Sequence, residues 1–114
     1  MMQRGEIWVA TLNPSKGAEA GKIRPVVIFQ EDRLTAAGLP TVIVLPLTSQ
    51  LREGLEPLRV AVRARDRLSK DCHVMVEQIR AIDRARIGDG PLTKLNSEEM
   101  MALERSVRGV LGRY

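Results

Sequence analysis

Helical periodicity is confined to the end of this chain. Met100, Leu103, Val107, Val110 and Leu111 recur at the spacing of one helix face, Asn96 with Glu99 forms a capping-box pattern ahead of them, and Gly112 stands where a helix would stop. The strongly patterned segments before it have the period of strands. Glu6 to Leu12 alternates, Arg24 to Gln30 and Thr41 to Leu47 are apolar runs, Leu58, Val60 and Val62 alternate with Arg59 and Arg63, and His73 to Arg80 supplies a fifth strand. Glu31 to Leu39 has room for no more than a helical turn before Gly38 and Pro40 close it. Strands first and a helix last, without βαβ alternation, predict a mainly β antiparallel sheet or barrel with one amphipathic helix, Ser97 to Leu111, packed on it.

At 114 residues the chain, 1–114, is one domain with one modest core. Its 44% hydrophobic and 28% charged content is that of a folded protein. No stretch nears the roughly 18 apolar residues of a membrane span and the first residues hold no apolar signal core, so the expected location is cytoplasmic, away from the membrane. Cys72, the only cysteine, can form no internal disulfide and reads as a small filler at a strand start. A net charge of +4, carried mostly by arginine, suits a polyanionic partner as well as it suits an ordinary basic surface.

The chemistry-bearing positions are few. His73 is the only histidine, which rules out an internal two-histidine acid-base pair, although a dimer could contribute one from each subunit. Cys-x-x-Cys and His-x-x-x-His spacings are absent, so no zinc site and no other metal or cofactor is expected. Gly17 and Gly21 precede a strand, whereas a phosphate-binding P-loop follows one. Arg24-Pro25 opens the second strand, Pro25 lacking a ladder donor and so belonging at a strand start or edge, and the third strand ends in Pro46-Leu47-Thr48-Ser49. An arginine fork and a hydroxyl at two strand ends could share one phosphate. RNA brings its own nucleophile, the ribose 2′-hydroxyl, so such a site need only align it and stabilise charge on the phosphoryl oxygens, about 3–4 kcal/mol per well-placed donor. Arg24 could equally make a surface ion pair, and Thr48-Ser49 an ordinary turn.

The motifs form an ordered series over nearly the whole chain: Arg4-Gly5-Glu6-Ile7-Trp8, Leu12-Asn13-Pro14, Gly17-Ala18-Glu19 with Arg24-Pro25-Val26-Val27, Pro46-Leu47-Thr48-Ser49, Glu77-Gln78-Ile79-Arg80-Ala81-Ile82-Asp83, and Lys94-Leu95 before the last helix. In this order they resemble the MazF/PemK (Kid) family of toxin endoribonucleases. The resemblance implies a small SH3-like antiparallel β-barrel with a C-terminal helix, acting as a homodimer. Such proteins cleave single-stranded RNA, mRNA included, at short motifs without a metal, leaving 2′,3′-cyclic phosphate and 5′-hydroxyl ends and arresting growth. The family's catalytic arginine matches Arg24 and its threonine Thr48. Glu19 matches a glutamate of the first loop and Glu77 an acidic position used in some members; either could accept the 2′-hydroxyl proton, and Glu77 could instead hold an ion pair. Gln78 could read a base edge or satisfy backbone. Ala81 replaces a common threonine.

RNA contacts are expected from Lys16, Lys22, Ser49, Glu77, Gln78 and Arg80, with sequence preference coming from the loops Asn13 to Ile23 and Ser49 to Pro57. Aromatic residues are only 3% of the chain, so stacking on bases should be limited. The resemblance further implies a small acidic, MazE-like cognate antitoxin whose disordered tail covers Arg24 and Thr48. Gyrase-poisoning relatives on the same barrel, the alternative from another class, lack this arginine-threonine pair, and a degenerate non-catalytic member would not be expected to keep it.

Overall fold

The computed structural model describes residues 2–14, 16–51 and 54–113. Seven strands, β1 (Glu6–Thr11), β2 (Ile23–Ile28), β3 (Thr41–Thr48), β4 (Arg59–Val62), β5 (Cys72–Met75), β6 (Arg80–Asp83) and β7 (Ile87–Lys94), are joined by α1 (Asp32–Ala36) and followed by α2 (Ser97–Val110). All described pairings are antiparallel, in the order β4-β5-β3-β2-β1-β7 with β6 also on β3. The expected mainly β class with a C-terminal helix is what forms. The ladder does not close: β4 and β7 are not paired, and the β4–β5 connection reaches β7 instead through the Arg67 amide donating to Leu92 O at 2.9 Å.

The continuous apolar runs of β2 and β3 are explained by burial on both faces. Val27, Leu45 and Leu47 enter one core with Val60, Val74, Leu103 and Val107, beneath α2. Val26, Ile28, Val42 and Val44 enter a second with Ala10, Leu12 and Ile82. The Asn96 side chain accepts the Glu99 amide at 2.8 Å and Glu99 accepts the Asn96 amide at 2.9 Å, completing the expected capping box. Val110, the last residue of α2, and Leu111, its C-cap, both expected on the apolar helix face, are exposed at 36% and 62%. Trp8 packs one ring face on the β7 backbone: a Cβ added to Gly90 would lie 2.5 Å from the indole.

Two departures from the expected strands have physical causes. The single strand expected over His73 to Arg80 is two strands separated by a 3-10 turn at Val76–Gln78. Ile43 O accepts the Phe29 and Gln30 amides, so alternation turns Pro46 towards the opposite edge, where it has no N–H to offer. The chain lifts away from β3 at this missing donor, and three consecutive buried residues, Val74, Met75 and Val76, mark the break in alternation. The other departure is β7. Its sequence, with Gly88, Gly90 and Pro91, has little strand pattern, yet β1 holds it through a register with shifts around Val9.

Candidate functional site

The ladder between β2 and β3 stops at Val26 opposite Pro46. One step further Leu47 would face Pro25, whose nitrogen carries no hydrogen, so the Leu47 carbonyl loses its ladder partner. Arg24 takes it up, donating from Nη1 at 3.2 Å, while its Nε donates to Gly21 O at 2.9 Å. Of five N–H donors two are committed, and the other three have no acceptor among the described residues. The dipeptide Arg24-Pro25 thus ends the ladder and orients the guanidinium with one stroke. Thr48, the last residue of β3, accepts the Gln50 amide at 3.1 Å on its hydroxyl oxygen, which leaves its own proton to donate. Its cross-strand partner is His73, whose Nδ1 is buried without a hydrogen-bond partner among the described residues.

Glu19 lies on the β1–β2 loop, exposed, with one carboxylate oxygen accepting the Lys16 amide at 2.9 Å. Gln78 holds the loop on both sides of it: its Oε1 accepts the Ala20 amide at 3.1 Å and its Nε2 donates to Ala18 O at 3.2 Å. Ala20 is buried in the second core, and Arg80 reaches its carbonyl at 3.5 Å. Lys22 closes the loop neck, its amide on Asn13 Oδ1 at 2.8 Å, with φ of 69°. That left-handed conformation is uncommon for a residue with a side chain and stores strain at the site's edge. Ser15 of the first expected loop, and Arg52 and Glu53 of the second, lie outside the described residues.

Arg24 and Thr48, with Lys22 and Gln50, form a ridge between two clefts. The first, about 440 Å³, has Glu19, Arg59, Met75, Glu77 and Gln78 in its walls. The second, about 340 Å³, has Ser49, Arg67, Ser69, Lys70 and Leu92. The structure therefore brings together Glu19, Lys22, Arg24, Thr48, Ser49, Glu77 and Gln78 around one ridge. Lys16 and Arg80 line neither cleft and touch the site through the loop backbone. Glu77 is paired with Arg59, whose side chain is 6% exposed and whose Nε is buried and unpartnered among the described residues.

Sequence reading missed Arg59, Gln50, Arg67 and Lys70 as site residues. Arg59 was visible only as a polar alternation in β4, and the register Arg59 opposite Met75, which carries it to the cleft, is non-local. Cys72 is buried at the start of β5, and burial, with Asp71 adding to it, pushes its thiol up from the ordinary value, in keeping with a packing role. No three His, Cys, Asp or Glu side chains gather among the described residues. No described helix is long and apolar enough to cross a membrane.

Fold and ridge together define a small antiparallel β domain with an arginine and a hydroxyl presented side by side near two strand ends. Comparison with known proteins gives this class a family. Residues 3–111 match the model of the PemK-like, MazF-like toxin of type II toxin-antitoxin systems. The Endoribonuclease MazF of Staphylococcus saprophyticus subsp. saprophyticus is 36% identical over 113 residues, covering 98% of this chain and 92% of that protein. Among solved structures, MazF (Form-I) from Deinococcus radiodurans superimposes with a TM-score of 0.83 at 20% identity, covering 97% of this chain and 96% of that one. An endoribonuclease in complex with its cognate antitoxin from a mycobacterial species does so at 0.76 and 20%, covering 98% and 96%. The chain belongs to the PemK/MazF-like toxin family.

Proposed function

We propose that this protein is a sequence-specific endoribonuclease toxin that cuts single-stranded RNA by attack of the 2′-hydroxyl on the adjacent phosphate. The observation that carries this reading is the convergence of the uncommitted Arg24 donors and the Thr48 hydroxyl on one ridge, with Glu19 on its bank. A phosphate on the ridge receives the guanidinium fork on its non-bridging oxygens and the Thr48 proton beside it. The 2′-oxygen bonds to phosphorus as the bond to the 5′-oxygen breaks, giving a 2′,3′-cyclic phosphate and a 5′-hydroxyl that takes its proton from water. Glu19 receives the 2′-hydroxyl proton. One of its carboxylate oxygens holds only the Lys16 amide, whereas Glu77 is engaged by Arg59.

Because RNA supplies the nucleophile and the protein supplies the charge, the reaction proceeds without a metal. The enzyme acts as a homodimer in the cytoplasm, inhibits translation and growth, and is neutralised by an acidic MazE-like antitoxin drawn to its net charge of +4. The mycobacterial fold neighbour, solved in complex with its cognate antitoxin, supports a partner of that kind. The test is incubation of wild type and Arg24→Ala with a long single-stranded RNA in excess chelator, followed by mapping of the ends. Discrete cuts bearing 5′-hydroxyl ends, from wild type alone, are expected; intact RNA in the wild-type lane, or cutting only after a divalent ion is restored, sinks the reading or its metal-free chemistry.

A further inference from the structure

We propose that the cleft walled by Lys22, Arg24, Arg67 and Lys70 is a sequence-independent phosphate subsite, in which Lys70 holds the backbone of single-stranded RNA on one side of the scissile phosphate. The inference rests on the ribonuclease reading above and adds a surface, the β4–β5 connection, that sequence and family resemblance left without a role. A polynucleotide whose scissile phosphate sits on the ridge must continue in both directions, and the ridge is the shared wall of both clefts. Its neighbours on one side therefore enter the Glu19 cleft and those on the other enter this one.

The two linings differ in the groups they offer. Around Glu19 and Glu77 the cleft mixes carboxylates with Lys22, Arg24 and Arg59, and adds the Gln78 amide. The Lys70 cleft has four cationic side chains in its walls and no carboxylate or aromatic ring. Groups of one charge with small hydroxyls match phosphate oxygens, which carry no sequence, and offer no platform for a base. Within this wall Arg67 is partly neutralised by Asp89 at 2.8 Å, and Arg24 belongs to the ridge. The Lys70 ammonium has no partner among the described residues, and its neighbour Asp71 is turned to the Ala64 amide at 2.7 Å.

The connection presenting Lys70 is anchored. Arg65 and Leu68 exchange backbone hydrogen bonds at 3.0 and 2.8 Å, Leu68 is buried, and Thr93 donates to Asp66 at 2.6 Å. The backbone leading to the cation is thus preorganised, so the ordering cost of RNA binding falls on the Lys70 side chain alone. An acidic peptide would also be attracted here, but an RNA whose scissile phosphate sits on the ridge necessarily carries a neighbouring phosphate along the same backbone into this cleft.

The experiment uses full-length protein and an RNA oligonucleotide spanning a cut mapped with wild type, made uncleavable by a 2′-deoxy sugar at the attacking nucleotide. Affinity is measured by fluorescence anisotropy from low to high salt for wild type, Lys70→Ala and Lys70→Glu, with circular dichroism as the folding control. Loss of one phosphate contact should weaken Lys70→Ala roughly fourfold at 0.15 M salt and flatten the slope of log affinity against log salt by about 0.7. Lys70→Glu should weaken binding further. Extending the RNA on one side of the cut should tighten binding to wild type but not to Lys70→Ala, whatever bases are added, and on a cleavable all-ribose RNA both should cut at the same motif. An unchanged salt slope, or a shifted motif, in Lys70→Ala overturns the subsite while leaving the ribonuclease standing. So does Lys70-dependent binding of a glutamate-rich peptide with RNA affinity unaltered, which would give the cleft to a protein partner. Wild type that neither binds nor cuts RNA overturns the functional reading and the subsite together.

Discussion

The two banks of the Arg24–Thr48 ridge are held in different ways. On one side the β1–β2 loop is held by side chains from distant strands, Gln78 gripping Ala18 and Ala20, and Arg86 donating to the Thr11 and Asn13 carbonyls. On the other side the β4–β5 connection has backbone ties, Arg65 with Leu68 and the Arg67 amide on Leu92 O, and side-chain ties of its own, above all Arg65, which binds Glu99 through two nitrogens at 2.9 and 2.6 Å and Lys94 O at 3.0 Å. A loop positioned by side chains can be retuned by changing one of them, which suits reading of bases. A connection held by backbone bonds and several side chains at once depends less on any one of them, which suits a contact that every substrate shares. The ridge itself is common to both, so damage there should remove chemistry whatever sequence is offered.

The largest effect is accordingly expected on the ridge. Arg24→Ala removes the fork, and loss of about 3–4 kcal/mol of transition-state stabilisation predicts a fall in kcat of roughly a hundredfold or more. Because the Leu47 and Gly21 carbonyls also lose a donor, thermal unfolding must be read alongside; a collapsed fold would make Arg24 structural. Thr48→Ala should lower kcat by a similar order with little change in KM, as a group that acts mainly in the transition state requires. A rise in KM alone would make Thr48 a ground-state binding residue.

A smaller effect, confined to one bank, is expected from Gln78. Gln78→Glu keeps an oxygen for the Ala20 amide but sets a second oxygen against Ala18 O, replacing a hydrogen bond by repulsion at a cost of about 1–3 kcal/mol to the loop's closed arrangement. Cleavage should fall roughly tenfold or more and the motif should broaden, read by sequencing the ends from a random RNA pool. An unchanged motif with uniformly weaker binding would move base reading away from this bank and erase the contrast between the clefts.

How far all this was legible in sequence depends on whether the cause was local. The apolar runs of β2 and β3 and the capping box of α2 are decided within a few residues, and each formed as expected. The turn at Val76–Gln78 depends on Pro46 across the sheet, and β7 on pairing with β1, so neither was visible along the chain. In the site, the candidates Arg24, Thr48 and Glu19 could be named along the chain, whereas the Gln78 grip, the Arg59–Glu77 pair and the second cleft are products of strand order.

The mildest prediction concerns the bank of the β4–β5 connection. Glu99 serves the α2 capping box and Arg65 at once, tying the connection to the helix. Burial disfavours its charge, but the hydrogen bond from Arg65 and that from the Asn96 amide outweigh burial, and its carboxyl lies below the ordinary value. Since the unfolded chain then binds the proton more tightly, stability rises with pH across this titration. The contribution is fully present above the unfolded carboxylate pKa and is lost as pH falls through the lower folded value. Glu99→Gln should therefore destabilise the protein by about 1–2 kcal/mol at neutral pH, reduced by the partial exposure of the pair, and by progressively less as the solution is acidified. Urea midpoints of wild type and variant taken from neutral to strongly acidic pH test this. Parallel curves would mean that Glu99 acts as a neutral cap only, and that the two banks differ less in their fastening than the ion pair indicates.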